Sequence, residues 1–179
     1  SAIYPDGGKY TGEFKDGKRH GKGNYSWSEG ELAGSTYEGE YFEGKRHGKG
    51  VLTLTSGKIY TGNFLDGLKE GKGTLVWTKG KLAGCKYEGD FKADEQTGQG
   101  VLTFPSGDRY EGGFQNGKLH GQGTYLLRDG TTKNGIWING VYQKPNTEKS
   151  EATEGTDNSD NKGNKEKQDN KSNKKKKGI

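Results

Sequence analysis

"YTGEFKDGKRHGKG", residues 10–23, returns as "YEGEYFEGKRHGKG" at residues 37–50 and as "YTGNFLDGLKEGKG" at residues 60–73. Tyr10, Gly12 and Phe14 fall on one face of an extended chain, and Thr11, Glu13 and Lys15 on the other. That period-2 alternation is the signature of a half-buried strand. The following "KDGKRHGKG" reads as turn chemistry, Asp-Gly and then more glycine. A second strand follows the Gly-x-Gly. Its second position is Tyr25, Leu52, Leu75, Leu102 or Tyr125, and its fourth is Trp27, Leu54, Trp77, Phe104 or Leu127. Each phrase is thus a β-hairpin and a building unit, not a catalytic motif.

Aligned on Tyr-x-Gly-x-aromatic, the units start at Tyr10, Tyr37, Tyr60, Tyr87 and Tyr110, with spacings of 27, 23, 27 and 23 residues. The longer units carry a four-residue insertion, seen in "SEGELAGSTY" and "TKGKLAGCKY". Residues 10–59 and 60–109 share about half of their positions, so a two-hairpin unit is duplicated. "SAIYPDGGKY" aligns with "VLTFPSGDRY" at residues 101–110, which makes residues 1–9 the second strand of a truncated unit. The chain starts mid-repeat, which points either to a boundary placed within a unit or to a lost N-terminal portion. "KNGIWINGVY" keeps Gly135, Trp137 and Gly140 in register but has Lys133 in the Tyr position, as a capping half-repeat would. The fourth unit puts Asp94 in place of the turn glycine, and a different turn conformation is expected there.

Composition supports a thin structure. Hydrophobic residues make up 25% of the 179, against about 45–50% in ordinary domains on a count that includes glycine. Glycine accounts for 34 residues, yet ten Tyr, six Phe and three Trp recur at fixed places. Regular aromatics argue for order and against a random coil. A glycine inside a strand costs about 0.5–1 kcal/mol relative to alanine. It recurs at Gly12, Gly39, Gly62, Gly89, Gly112 and Gly135. We expect an aromatic ring from an adjacent strand to lie in each hole, so that the core is one row of stacked rings. A net charge of +5 is a mild excess, and nucleic acid is not an expected partner. Cys85 is alone, which excludes an internal disulfide and fits a reducing, intracellular compartment. No apolar run approaches the ~18 residues of a membrane span, and no signal peptide is visible.

Tyr-x-Gly-x-Phe-x-x-Gly-x-x-His-Gly-x-Gly, repeated in register over residues 1–142, closely resembles the MORN repeat (membrane occupation and recognition nexus). The resemblance implies an all-β fold: an elongated, twisted, single-layer antiparallel meander of hairpins. It implies a non-catalytic scaffolding or anchoring role, in a cytoskeletal or ciliary setting such as radial spokes. Binding to anionic phospholipids, and service as an accessory segment of a larger enzyme, are further roles within the family.

Several residues stand out as candidate sites. His20, His47 and His120 lie two strands apart or more, about 10 Å, too far for one zinc shell. "GKRHGKG" lacks the following helix and Gly-Lys-Ser/Thr of a P-loop, so no nucleotide cofactor is expected, and no catalytic residue or metal site emerges. Lys18, Arg19, Lys22, Lys45, Arg46, Lys49, Lys69 and Lys72 are expected to form a basic rim along the turns, fit for phospholipid headgroups or an acidic protein. Glu13, Glu38, Glu40, Glu88, Asp90 and Glu111 form acidic columns beside it, a mixture that favours a protein partner. Tyr10, Phe14, Trp27, Tyr37, Tyr41, Phe64 and Trp77 either cover one another or form an aromatic groove for a partner helix or a homodimer mate. The sheet's open ends invite further pairing. Residues 143–179 read as a disordered tail. Its charge is polarised, net −4 over residues 145–160 and net +6 over residues 161–179, ending in Lys174–Lys177.

Overall fold

The computed structural model describes residues 1–144; the expectations for the tail lie outside these from residue 145 onward. Thirteen strands follow one another: β1 (Ala2–Ile3), β2 (Lys9–Lys15), β3 (Lys18–Ser26), β4 (Thr36–Phe42), β5 (Lys45–Thr53), β6 (Lys58–Leu65), β7 (Leu68–Trp77), β8 (Lys86–Lys92), β9 (Glu95–Thr103), β10 (Arg109–Gln115), β11 (Lys118–Leu126), β12 (Thr132–Ile138) and β13 (Val141–Gln143). They form a single sheet in sequence order. Every neighbouring pair is antiparallel, as direct hairpin connections require. Ala2 pairs with Tyr10 as Leu102 pairs with Tyr110.

The turns are shorter than expected. Only Asp16 and Gly17 turn, with φ of 50° and 73°, the two left-handed residues of a type I′ hairpin. Lys18–Lys22 already belong to β3. The rest of the glycine-rich stretch is a bulge. Gly12 faces Gly23 but Phe14 faces Arg19, so His20, Gly21 and Lys22 oppose Glu13 alone. Gly21 takes the left-handed conformation there, φ 59°. The Glu13 carboxylate accepts the Lys22 N–H released by the bulge at 2.9 Å, as Glu40 does for Lys49 at 3.1 Å and Asp90 for Gln99 at 3.1 Å.

The fourth turn corrects another expectation. Ala93 and Asp94 have φ of 47° and 73°, the same conformation as the other turns without a glycine. Bonds to the preceding hairpin hold it. Asp94 Oδ1 accepts the Lys69 N–H at 2.9 Å, the Asp94 N–H donates to the Lys69 carbonyl at 3.1 Å, and Ala93 N–H donates to Glu70 Oε2 at 2.9 Å. The third unit's Glu70, which replaces His, and the Lys69 ammonium, 3.5 Å from the Asp94 carboxylate, are thus side-chain partners of the fourth unit's glycine-free turn. Asp94→Gly is expected to change stability by less than about 1 kcal/mol, since relief of strain offsets the lost acceptor. Asp94→Ala keeps the strain and loses the acceptor, and is expected to cost about 2 kcal/mol. Urea unfolding compares the two; equal losses would remove the anchoring role.

The core is a row of rings. Tyr10, Tyr37, Tyr60, Tyr87 and Tyr110 are fully buried. They alternate edge-to-face with Tyr41, Phe64, Phe91, Phe114 and Trp137, at centroid distances of 4.8 to 5.4 Å. The glycines serve these rings, but not as expected. Each tyrosine lies over the glycine of its own strand and the paired glycine of the next. A Cβ on Gly62 would stand 2.5 Å from Tyr60 Oη, and one on Gly73 2.5 Å from Tyr60 Cε2. The reason is the phenol. Buried, it needs an acceptor, and the carbonyl three residues on supplies one: Tyr10 Oη donates to Glu13 at 2.9 Å, Tyr37 to Glu40 at 3.0 Å, Tyr60 to Asn63 at 2.8 Å, Tyr87 to Asp90 at 2.8 Å and Tyr110 to Gly113 at 3.1 Å. Of the six glycines that follow the tyrosine position, Gly135, where Lys133 replaces the tyrosine, takes its ring from an adjacent strand, that of Tyr142.

Candidate functional site

Strand alternation divides the expected basic rim between the two faces of the sheet. Arg19, Arg46 and Lys69 hold equivalent places and turn to the ring face. The Arg19 guanidinium lies 5.0 Å from the Tyr4 and Tyr25 ring centroids and 5.3 Å from that of Tyr41, and its Nη2 donates to the Gly44 carbonyl at 2.7 Å. Arg46 lies 5.2 Å from Phe64 and 5.7 Å from Tyr37, and donates to the Gly67 carbonyl at 2.7 Å. Each arginine therefore ties its hairpin to the tip of the next, a role the sequence did not reveal. Lys69 sits 5.7 Å from Tyr60, with the Asp94 carboxylate at 3.5 Å. The expected single rim of eight cations is thus split, with Arg19, Arg46 and Lys69 on the ring face and Lys18 and Lys45 exposed beside the turns.

Lys22, Lys49 and Lys72 line the opposite face. There a groove of 960 Å³ runs over Gly12, Gly39 and Gly62, with Glu38 and Glu40 interleaved among the lysines. Lys72 Nζ pairs with Asp90 at 2.6 Å. That ammonium, then the Gln99 N–H, holds the Asp90 carboxyl below the usual carboxylate range. Glu13, Glu40 and Asp90, members of the expected acidic columns, each accept a bulge N–H. Lys18 and Lys45 stand exposed beside the turns, Lys45 4.0 Å from Asp66.

The aromatic groove is mostly filled by its own members. Tyr10, Tyr37, Tyr41 and Phe64 are at most 4% exposed. Phe14 is 44% exposed, and Trp27 and Trp77 are half-buried. A more open hollow of 510 Å³ lies on the same face, lined by Tyr4, Tyr25, Trp27, Tyr41 and the two arginines, with Lys45 and Asp6 at its margin. Asp6 accepts the Gly8 N–H and the Tyr25 hydroxyl, each at 2.9 Å, which lowers its pKa. Tyr4, Asp6 and Tyr25 were not singled out from sequence. The available signal was Tyr25, an aromatic where the next three units have leucine.

The histidines serve locally. His20 and His47 flank the Phe42 ring at 5.2 and 5.5 Å, and His120 Nδ1 accepts the Asn139 N–H at 3.3 Å. Among the described residues no three of His, Cys, Asp and Glu converge as metal ligands. Cys85 is buried, which pushes its thiol pKa up. Among the described residues no helix is long and apolar enough to cross a membrane.

A family model described as the MORN repeat matches residues 10–31, 37–59, 60–81, 87–109 and 110–132, together more than half of the chain. A comparison with curated proteins finds no match. Repeats of this family are non-catalytic modules that mediate interactions with proteins or membranes. Ring-over-glycine hairpins, repeated at each matched stretch, agree with that match: the chain belongs to the MORN-repeat family.

Proposed function

We propose that the protein is a non-enzymatic scaffold that holds protein partners in an intracellular cytoskeletal or ciliary (axonemal) assembly. One observation favours protein over membrane. Arg19, Arg46 and Lys69 are drawn to the ring face, and the lysines left on the other face alternate with carboxylates, Lys72 being paired with Asp90 at 2.6 Å. A uniformly anionic membrane would meet repulsion as often as attraction on such a surface, whereas a protein can match both signs. The cytoskeletal or ciliary setting rests on the family alone.

The alternative, a peripheral module reading anionic lipid, keeps Lys18, Lys22, Lys45 and Lys49 as its cations. Cosedimentation with phosphatidylserine vesicles separates the two. The expected result is no binding at about 0.1 M salt, where charges still act over about 10 Å. Binding there that disappears near about 0.5 M salt, and on reversal of those four lysines to glutamate, would overturn the scaffold reading.

A further inference from the structure

We propose that the ring face beside the first two hairpins, β2–β3 and β4–β5, docks an acidic peptide segment of a partner protein, with carboxylates paired to Arg19 and Arg46. This rests on the scaffold reading and names the chemistry of the partner. Each guanidinium has five N–H donors, and one terminal nitrogen is engaged with a carbonyl. Among the described residues no carboxylate lies within 4.0 Å of either guanidinium. The third unit differs, because Lys69 already has Asp94 at 3.5 Å. The fourth and fifth units have Gln96 and Leu119 at this position. Among these five equivalent positions, the guanidinium groups without a carboxylate therefore fall in the first two units, where the 510 Å³ hollow also lies.

Geometry favours a peptide in the polyproline II conformation. Equivalent positions in consecutive hairpins are two strands apart, about 10 Å. A chain in the polyproline II conformation covers that distance in three residues at about 3.1 Å each and, with three residues per turn, brings every third side chain back to the same face. Acidic side chains three residues apart could then reach Arg19 and Arg46 together, in the charge-assisted forks that guanidinium forms with carboxylate. Tyr4, Tyr25, Trp27 and Tyr41 wall the hollow and offer ring surface to an apolar side chain between them. Asp6 is the one carboxylate in its lining; it is held by Tyr25 and Gly8 and stands against Arg19, Lys45 and Arg46.

The test is selection of a displayed random dodecapeptide library on the full chain, followed by affinity measurement on the selected peptides. Two protein variants are compared. Arg46→Gln removes one guanidinium, with folding checked by circular dichroism. Lys45→Glu changes an exposed charge at the margin and leaves the packing alone. The expected peptides carry two Asp or Glu three residues apart around an apolar residue. Their affinity is expected to fall about tenfold or more in both variants and on Glu→Gln exchange in the peptide. Selection without acidic enrichment, or affinities unchanged in Lys45→Glu, would overturn the proposal. Peptides that cross-link to Lys22 and Lys49 instead would overturn this site and leave the scaffold reading standing. Vesicle binding sensitive to Lys45→Glu, with no peptide selected, would overturn both.

Discussion

Gly62→Val is expected to lower the melting temperature by about 10 °C or more. The valine Cβ would stand 2.5 Å from Tyr60 Oη, 2.6 Å from Gly73 Cα and 2.8 Å from the Lys72 carbonyl. Two of those three atoms are backbone of β7, which cannot retreat without parting from β6. The third belongs to a ring that cannot swing away. Tyr60 is held edge-to-face by Phe64 at 5.1 Å and Phe91 at 4.9 Å, and its hydroxyl is bonded to Asn63. Overpacking costs about 1–3 kcal/mol, and stripping a buried hydroxyl of its acceptor about 1–3 more. In a repeat array each unit leans only on its neighbours, so a fault in the middle also weakens both sides. Thr61→Val, on the exposed opposite face, is the control and is expected to stay within about 0.5 kcal/mol of the parent. Equal melting of Gly62→Val and the parent would remove the ring-on-glycine account of the fold.

Alkali is expected to unfold the sheet cooperatively between pH 10 and about 12, with no loss at pH 9. Burial raises the phenol pKa of Tyr10, Tyr25, Tyr37, Tyr41, Tyr60, Tyr87, Tyr110 and Tyr125, and pushes Tyr25 and Tyr60 up to about 12. The sign follows from linkage. Below pH 10 the phenols are protonated in both states, and their burial contributes in full. Above about pH 10 the unfolded chain loses its phenol protons first, because its tyrosines titrate near that value. Ionisation then draws the equilibrium towards the unfolded state, and the contribution is lost as pH rises through the folded values. Tyrosinate absorbance and far-ultraviolet circular dichroism should therefore change together. Tyrosinate appearing at pH 10 with the strand signal intact would show that the ring row is open to solvent.

The parts of the fold that were legible from sequence are those set by local chemistry. Tyr10, Gly12 and Phe14 share a face because strand side chains alternate, and the Asp16-Gly17 pair marks a tight turn because both residues tolerate a left-handed backbone. The misjudged parts depend on partners two strands away. Asp94 keeps the ordinary turn because Lys69 and Glu70, in the preceding hairpin, hold it. The candidate site was legible only as a list of cations. A bulge fixes which of them share a face, and a bulge is a property of paired strands.

By itself the sequence determined the hairpin unit, its five-fold repetition, its all-β character and the family, because periodicity and glycine placement act within one unit. Only the tertiary structure decided that each tyrosine lies over its own glycine, that Arg19 and Arg46 clamp the next hairpin, and that the cations divide between two faces. Those outcomes depend on register across strands, on where a buried hydroxyl finds its acceptor, and on which carboxylates the bulges have already taken.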